Sequence, residues 1–203
     1  MKRDETKRRR AAFLDRDGVI NIDRGYVYRW EDFDFVPGVL EGARRLHDLD
    51  YALVVVSNQS GIGRGFFSEV QFHALSDWMR EKVISAGAPL SGVYYCPHHR
   101  TEAHGRYLQT CDCRKPAPGM LLSAARDLQL DLEGSAMFGD KPSDLEAALA
   151  AGVPLSVSLG TDGRQLSSAN VAKGLVTDSF RRLDEAAKDC SLFTVTDANS
   201  RQV

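Results

Sequence analysis

The stretch YALVVVS, residues 51–57, constrains this chain more than any other. It is a continuous apolar run rich in β-branched residues. A strand with one wet face would alternate polar and apolar side chains, so an unbroken run reads as a strand covered on both faces, as in parallel sheets. AAFLD (11–15), GVYYC (92–96), SAMFGD (135–140) and PLSVSL (154–159) read as further strands, and GLVTD (174–178) as a sixth.

Helical patterns separate them. Val39, Leu40, Ala43 and Leu46 recur at helical spacing after Pro37 and Gly38. Ser68 and Gln71 form a capping box for a helix running to about Gly87. PGMLLSAARDL (118–128) is a helix with Leu121, Ala124, Ala125 and Leu128 on one face. Pro142 and Gly152 suit the first position and the C′ position of the next, and SFRRLDEAAKD (179–189) gives a last one. Strand and helix in alternation predict an α/β fold, a Rossmann-like parallel sheet with helices on both faces.

The 203 residues suffice for one sizeable core, placed at 11–190. Net charge is −2, so no global basic field argues for nucleic acid. No apolar run approaches the roughly 20 residues a membrane helix needs. The start, MKRDETKRRR, carries six Lys or Arg, but only AAFL separates it from Asp15. A secretory signal needs a longer apolar stretch there, so residues 1–10 are expected to be a basic, poorly ordered tail and the protein cytoplasmic. Residues 191–203 are expected to form a C-terminal tail. No coiled-coil pattern is present, which points to a monomer.

In parallel sheets, functional groups gather beyond the carboxyl ends of the strands. Here those ends carry Asp15, Ser57, Cys96 and Asp140. If extended backbone continues past Leu14, Asp15 and Asp17 share a face and point into the crevice. Two carboxylates so close call for a cation, and hard oxygen ligands favour magnesium, with Asp140 a further ligand.

A second cluster lies between strands three and four. Cys96, His98, Cys111 and Cys113 offer three thiolates and an imidazole, a closed tetrahedral set suited to structural zinc, with His99 and His104 as alternatives to His98. Zinc would pin a segment that has little pattern of its own and leads straight to Arg114 and Lys115. Cys190 stands apart.

Taken in order, FLDRDGVIN, VVVSNQSG, CRKP and GDKPSD resemble the haloacid dehalogenase superfamily of phosphohydrolases, over roughly residues 11–160. That resemblance implies that Asp15 is a nucleophile forming an aspartyl-phosphate and that Asp17 is the general acid/base. It implies magnesium held by Asp15, Asp140 and the Asp17 backbone carbonyl, with Ser57 and Lys115 on the phosphoryl oxygens. Only about twenty residues separate Asp17 from the next helix, too few for a separate cap domain, so a capless, open site is expected.

Within the superfamily, DRDGVIN…GYV, NQSGIGRG, YYCPHH and CDCRKPAPGM are similar to the zinc-loop family of heptose-bisphosphate phosphatases. This implies a small-molecule sugar bisphosphate as substrate. Asp23, Arg24, Gly25 and Tyr26 would line the sugar. Asn58, Gln59 and Ser60 would surround the transferred phosphoryl group, and Arg114 and Lys141 would help recognise the substrate. Two further readings stand beside it. The related histidinol-phosphate phosphatases share the zinc-loop design, and a non-catalytic zinc-stabilised interaction module would be expected to lack one of Asp15, Asp17, Lys115 or Asp140.

Overall fold

The computed structural model describes residues 8–160 and 178–189. Residues 1–7, most of the expected 174–178 strand, Cys190 and the 191–203 segment lie outside the described residues. The strands are β1 (Arg9–Leu14), β2 (Ala52–Asn58), β3 (Leu90–Cys96), β4 (Leu130–Gly139), β5 (Leu155–Leu159) and β6 (Asp178–Phe180). The helices are α1 (Val39–Asp48), α2 (Ser60–Gly63), α3 (Glu69–Ser85), α4 (Gly119–Leu128), α5 (Pro142–Ala151) and α6 (Leu183–Lys188). All strand pairings are parallel, and the order is β3-β2-β1-β4-β5-β6. The winding direction reverses between β1 and β4, which places the crevice at the ends of those two strands.

Both faces of the sheet are covered. Ala12 and Leu14 of β1, Leu53 and Val55 of β2, and Ala136 and Phe138 of β4 join one apolar cluster with residues of α1, α3 and α6. Ala11, Phe13, Val54, Val56 and Met137 face the other way and join α4 and α5. The two-residue period of a strand divides YALVVVS between the two layers, which is why the run shows no polar break.

Some boundaries differ from the expectations. β1 starts inside the basic segment: Arg9 and Arg10 pair with Leu130 and Asp131. Arg9 also donates to the carbonyls of Asp50 and Tyr51 at 3.1 and 2.9 Å, so its charged end rests on backbone acceptors. β4 begins five residues early to receive this extension. The ladder is irregular between Arg10 and Ala12, where the Ser135 hydroxyl accepts the Ala11 amide at 2.8 Å. The glycine loop after β2 contains the one-turn helix α2. The last helix spans only Leu183–Lys188, because Asp178–Phe180 extends the sheet beside β5. The capping box at Ser68, Pro142 at the start of α5 and the left-handed Gly152 after it are all observed. Among the described residues, no helix is long and apolar enough to cross a membrane.

Candidate active site

Asp15 sits one residue past β1, with its amide donating to the Phe138 carbonyl of β4 at 3.0 Å. The carboxylate is buried and meets the ammonium of Lys115 at 2.8 Å. The same ammonium contacts Asp144 Oδ1 at 2.8 Å and donates to the Val56 carbonyl at 2.7 Å. Three acceptors match the three N–H bonds of an ammonium, so this buried cation is fully partnered. Burial alone would lower the pKa of Lys115; Asp15 and Asp144 outweigh that and hold it above the usual range. Asn58 fixes the lysine backbone. It accepts the Lys115 amide and donates to the Lys115 carbonyl, both at 3.0 Å. The Lys115–Pro116 peptide is cis.

Asp15, Asp140 and Asp144 bring carboxylate oxygens within 4.8 Å of one another. Asp144 is already committed, to Lys115 through Oδ1 and to the Lys141 amide through Oδ2 at 3.0 Å. Asp140 is not: its Oδ1 is buried without a hydrogen-bond partner, and the nearest cation, Lys141, lies 4.0 Å from Oδ2. Gly18, in a left-handed conformation, makes room for this carboxylate; a Cβ there would collide with it. A buried, unpartnered carboxylate oxygen facing another carboxylate fits a hard divalent cation.

Burial, reinforced by Asp144 and Asp17, pushes Asp15 up to about 6 despite Lys115. Burial and then Asp15 push Asp140 up to about 7. Both groups must be ionised to hold a cation, and both gain protons as pH falls through those values. The half-saturating magnesium concentration should therefore rise at least about tenfold between pH 8 and pH 6. Calorimetric titrations at the two pH values check this, with proton release accompanying binding at pH 6.

Asp17 departs from the expected geometry. The strand ends at Leu14, and the chain turns so that the Arg16 carbonyl accepts the amides of Ile20 and Asn21 at 2.8 and 3.0 Å. The Asp17 carboxylate lies outside the acidic trio. Arg16 Nη2 donates to its two oxygens at 2.7 and 2.9 Å, Asn21 to Oδ1 at 3.0 Å and Gln59 to Oδ2 at 2.8 Å. Gln59 also donates to the Ser57 hydroxyl at 2.8 Å, linking the ends of β1 and β2.

The residues expected around the sugar divide into two groups. Lys141 binds Asp23 at 3.1 Å. Burial works against the Asp23 charge, but the Gly25 amide and Lys141 outweigh it and lower its pKa. Gly25 and Tyr26 both have positive φ, which turns the loop, and Tyr26 packs edge-on against Phe66 at 4.6 Å. Arg24 instead pairs with Asp34 at 2.7 Å, with more than half of its side chain exposed. Ser60 opens α2. Arg114 donates to the His98 carbonyl at 3.2 Å, which ties it to the Cys/His segment.

In that segment Cys96, His98, Cys111 and Cys113 converge. The Cys113 sulfur lies 3.0 Å from Cys96, 3.2 Å from Cys111 and 3.3 Å from His98 Nδ1. Hydrogen bonding from Cys96 pulls the Cys113 thiol down to about 5. Three sulfurs and one imidazole nitrogen within 4.8 Å of one another form the kind of donor set that structural zinc takes. His99 is used elsewhere: its Nδ1 accepts the Glu102 amide at 3.0 Å.

Sequence reasoning passed over two buried site residues. Asp144 lies inside GDKPSD, where an acid in the first turn of a helix has an ordinary explanation. Arg16, between the two aspartates, carried no signal beyond its charge.

An aspartate at the mouth of the first strand, bound to a buried lysine beside an unpaired carboxylate, places the chain among the haloacid-dehalogenase-like hydrolases. The HAD-hydrolase-like family model matches residues 112–183. The D-glycero-beta-D-manno-heptose-1,7-bisphosphate 7-phosphatase of Photorhabdus laumondii is 47% identical over 178 residues, 88% of this chain and 95% of its own length. The enzyme of the same name from Escherichia coli is 46% identical over 88% of this chain and 93% of its own. The crystal structure of D,D-heptose 1,7-bisphosphate phosphatase from B. bronchiseptica, complexed with magnesium and phosphate, superposes with a TM-score of 0.74 at 31% identity, covering 90% of this chain and 98% of that one. The chain belongs to the D-glycero-β-D-manno-heptose-1,7-bisphosphate 7-phosphatase family.

Proposed function

We propose that this protein is a cytoplasmic, monomeric phosphatase that removes the 7-phosphate of D-glycero-β-D-manno-heptose 1,7-bisphosphate, in the supply of ADP-heptose for the lipopolysaccharide core. The observation that carries the chemistry is Lys115, which joins Asp15 to Asp144 at 2.8 Å each beside the unpartnered Asp140 oxygen. The substrate and its β configuration follow the names of the relatives.

Asp15 attacks the phosphorus in line and becomes an aspartyl-phosphate. Asp17 hands a proton to the departing C7 oxygen and then takes one from the water that hydrolyses the aspartyl-phosphate. Ser57 and the backbone N–H groups of Asn58 and Ser60 donate to the phosphoryl oxygens, while Gln59, whose amide is held by the Cys96 carbonyl at 2.8 Å, serves through its side chain on Ser57 and Asp17. Lys115 balances their charge and orients Asp15. Asp15, Asp140 and the Asp17 carbonyl would hold magnesium, which would supply the remaining positive charge. Arg114 and Lys141 supply cations for the second phosphate and the sugar side, with Asp23, Gly25 and Tyr26 along the sugar. The contact of Arg24 with Asp34 supports a supporting role for Arg24 in that loop. Cys96, His98, Cys111 and Cys113 would hold zinc in a structural role alone, because four protein ligands leave no open position.

Turnover of three substrates tests this. The β-bisphosphate should exceed histidinol phosphate by about 100-fold in kcat/KM, the worth of a lost charge-assisted contact at the second phosphate. The α-bisphosphate, whose 1-phosphate points elsewhere, should fall between them. Equal or better turnover of histidinol phosphate sinks the substrate assignment.

A further inference from the structure

Arg16 stands between the nucleophile and the acid/base residue, and its placement is unusual. It is 1% exposed. All of its side-chain hydrogen bonds leave from one nitrogen: Nη2 donates to both Asp17 oxygens and, at 2.8 Å, to the Val27 carbonyl. Nε and Nη1 are buried without a partner. The guanidinium carbon lies 5.9 Å from the centre of the Phe72 ring, itself buried. A guanidinium kept for structure would spread its five N–H groups over several acceptors. This one leaves most of them unused and directs a desolvated positive charge at one carboxylate, where low polarity strengthens the attraction.

The Val27 contact adds a second link. Val27 directly follows the 23–26 loop proposed to line the sugar. One nitrogen thus holds both the acid/base carboxylate and the end of the substrate loop. The other donors to Asp17, Asn21 and Gln59, are neutral amides.

We propose that Arg16 is the positioning residue of the second half-reaction: it aims the Asp17 carboxylate at the water that hydrolyses the aspartyl-phosphate, and it couples that aim to the substrate loop through Val27. This rests on the phosphatase reading above. In that step the water oxygen bonds to phosphorus, the bond from phosphorus to Asp15 breaks, the water proton passes to Asp17, and Asp15 returns as a carboxylate. A misdirected Asp17 slows this step. It does not slow phosphoryl transfer from an ester whose leaving group departs without a proton.

Rapid-mixing kinetics with p-nitrophenyl phosphate and magnesium separate the two steps. Arg16→Met is expected to lower steady-state turnover about 100-fold, within the range of a general base. It should also release close to one equivalent of nitrophenolate per enzyme in a burst larger than that of the wild type, with phosphoenzyme recoverable by acid quench. Arg16→Lys should recover most of the steady-state rate, because a single nitrogen makes every contact. Should Arg16→Met fail to fold, Arg16→Gln, which keeps an N–H donor and loses the charge, is expected to show the same burst. Loss of rate with no burst and no recovery by lysine reduces Arg16 to a structural residue and overturns the proposal. So does turnover within twofold of wild type. A wild-type protein that releases phosphate from neither this ester nor the heptose bisphosphate overturns the phosphatase reading itself.

Discussion

Asp15→Asn is expected to lower phosphate release by more than about 10⁴-fold, as loss of a covalent nucleophile does. The amide is nearly the same size but cannot attack phosphorus. The fold should survive, because Lys115 keeps its contacts with Asp144 and the Val56 carbonyl. Stability should even increase when magnesium is omitted. The Asp15 pKa is raised by burial from 3.8 to about 6, so the folded protein prefers the neutral acid. Ionisation of Asp15 therefore removes stability progressively as pH rises from about 4 to about 6, and that loss persists above. Asparagine has no charge to bury. The variant should melt above the wild type at pH 8 and level with it at pH 4, in magnesium-free buffer. A nucleophile held at the expense of stability is the usual relation at a strained active site. Residual phosphate release within about 100-fold of the wild type would mean that another group attacks phosphorus.

Much of this site was legible because strand ends are legible. An apolar run that stops at Asp15, at Ser57 or at the Gly-Asp pair of 139–140 marks where a parallel sheet opens to solvent, and each of these residues lies at the crevice. The Cys/His set was legible, His98 included: the four residues named from the sequence are the four that converge, and His99 is taken up by the Glu102 amide. The C-x-H spacing at the end of β3 lets Cys96 and His98 reach one point, with His98 Nδ1 3.3 Å from the Cys113 sulfur. Two positions were hidden by ordinary explanations. Asp144 accepts the Lys141 amide as any acid at a helix start does, and only the fold reveals that its other oxygen reaches Lys115. Arg16 in a sequence is a charge expected at the surface; here it is buried because Asp17 turns inward with it. The direction of Asp17 itself depended on the turn through the positive-φ Gly18, which ends the two-residue alternation assumed for a continuing strand. The basic start departs from its composition for a related reason. Composition marks Arg9 and Arg10 as solvated, yet their backbones complete a ladder with β4 while their charged ends reach carbonyls at the surface.

Stripping zinc is expected to cost the protein most of its activity and much of its stability, while leaving the sheet intact. The segment between Cys96 and Cys113 holds one short 3-10 turn, Gly105–Tyr107, and one isolated bridge, His99 to Leu108. Pro97 and Ala103 are its buried apolar residues apart from Cys96, and Cys111 and Cys113 are half-buried. Its other ties lie mostly at the surface. The His104 amide donates to the Gly63 carbonyl at 2.8 Å, Tyr107 packs beside Phe67, Arg106 pairs with Glu69 at 2.9 Å and Glu102 with Arg64. The ligand set therefore carries a large share of the work against its conformational entropy. Its exit is tightly built: the Gly119 amide donates to the Asp112 carbonyl at 2.8 Å, and any side chain at Gly119 would strike that carbonyl. Lys115 lies two residues beyond Cys113, so slack in the segment passes directly to the cation that orients Asp15. Structural zinc binds zinc-finger peptides with about 10–16 kcal/mol at neutral pH. If only about 4 kcal/mol of this reaches global stability, the melting temperature falls by about 8–16 °C in a domain of this size. Turnover should fall about 100-fold, since a displaced lysine forfeits a charge-assisted contact at the reacting group. A zinc-selective chelator, with magnesium in excess throughout, should produce both losses, and Cys113→Ser should reproduce them. Circular dichroism should show the helices retained, because the layer of α1, α3 and α6 contains none of the ligands and the layer of α4 and α5 meets them only at its edge, through Cys96, Cys111 and Cys113. Limited proteolysis within the 96–113 segment should cut between residues 97 and 112. Purified protein should carry one zinc per chain by elemental analysis. Chelation that removes this zinc and leaves melting temperature and turnover unchanged would show that packing alone holds Lys115 in place.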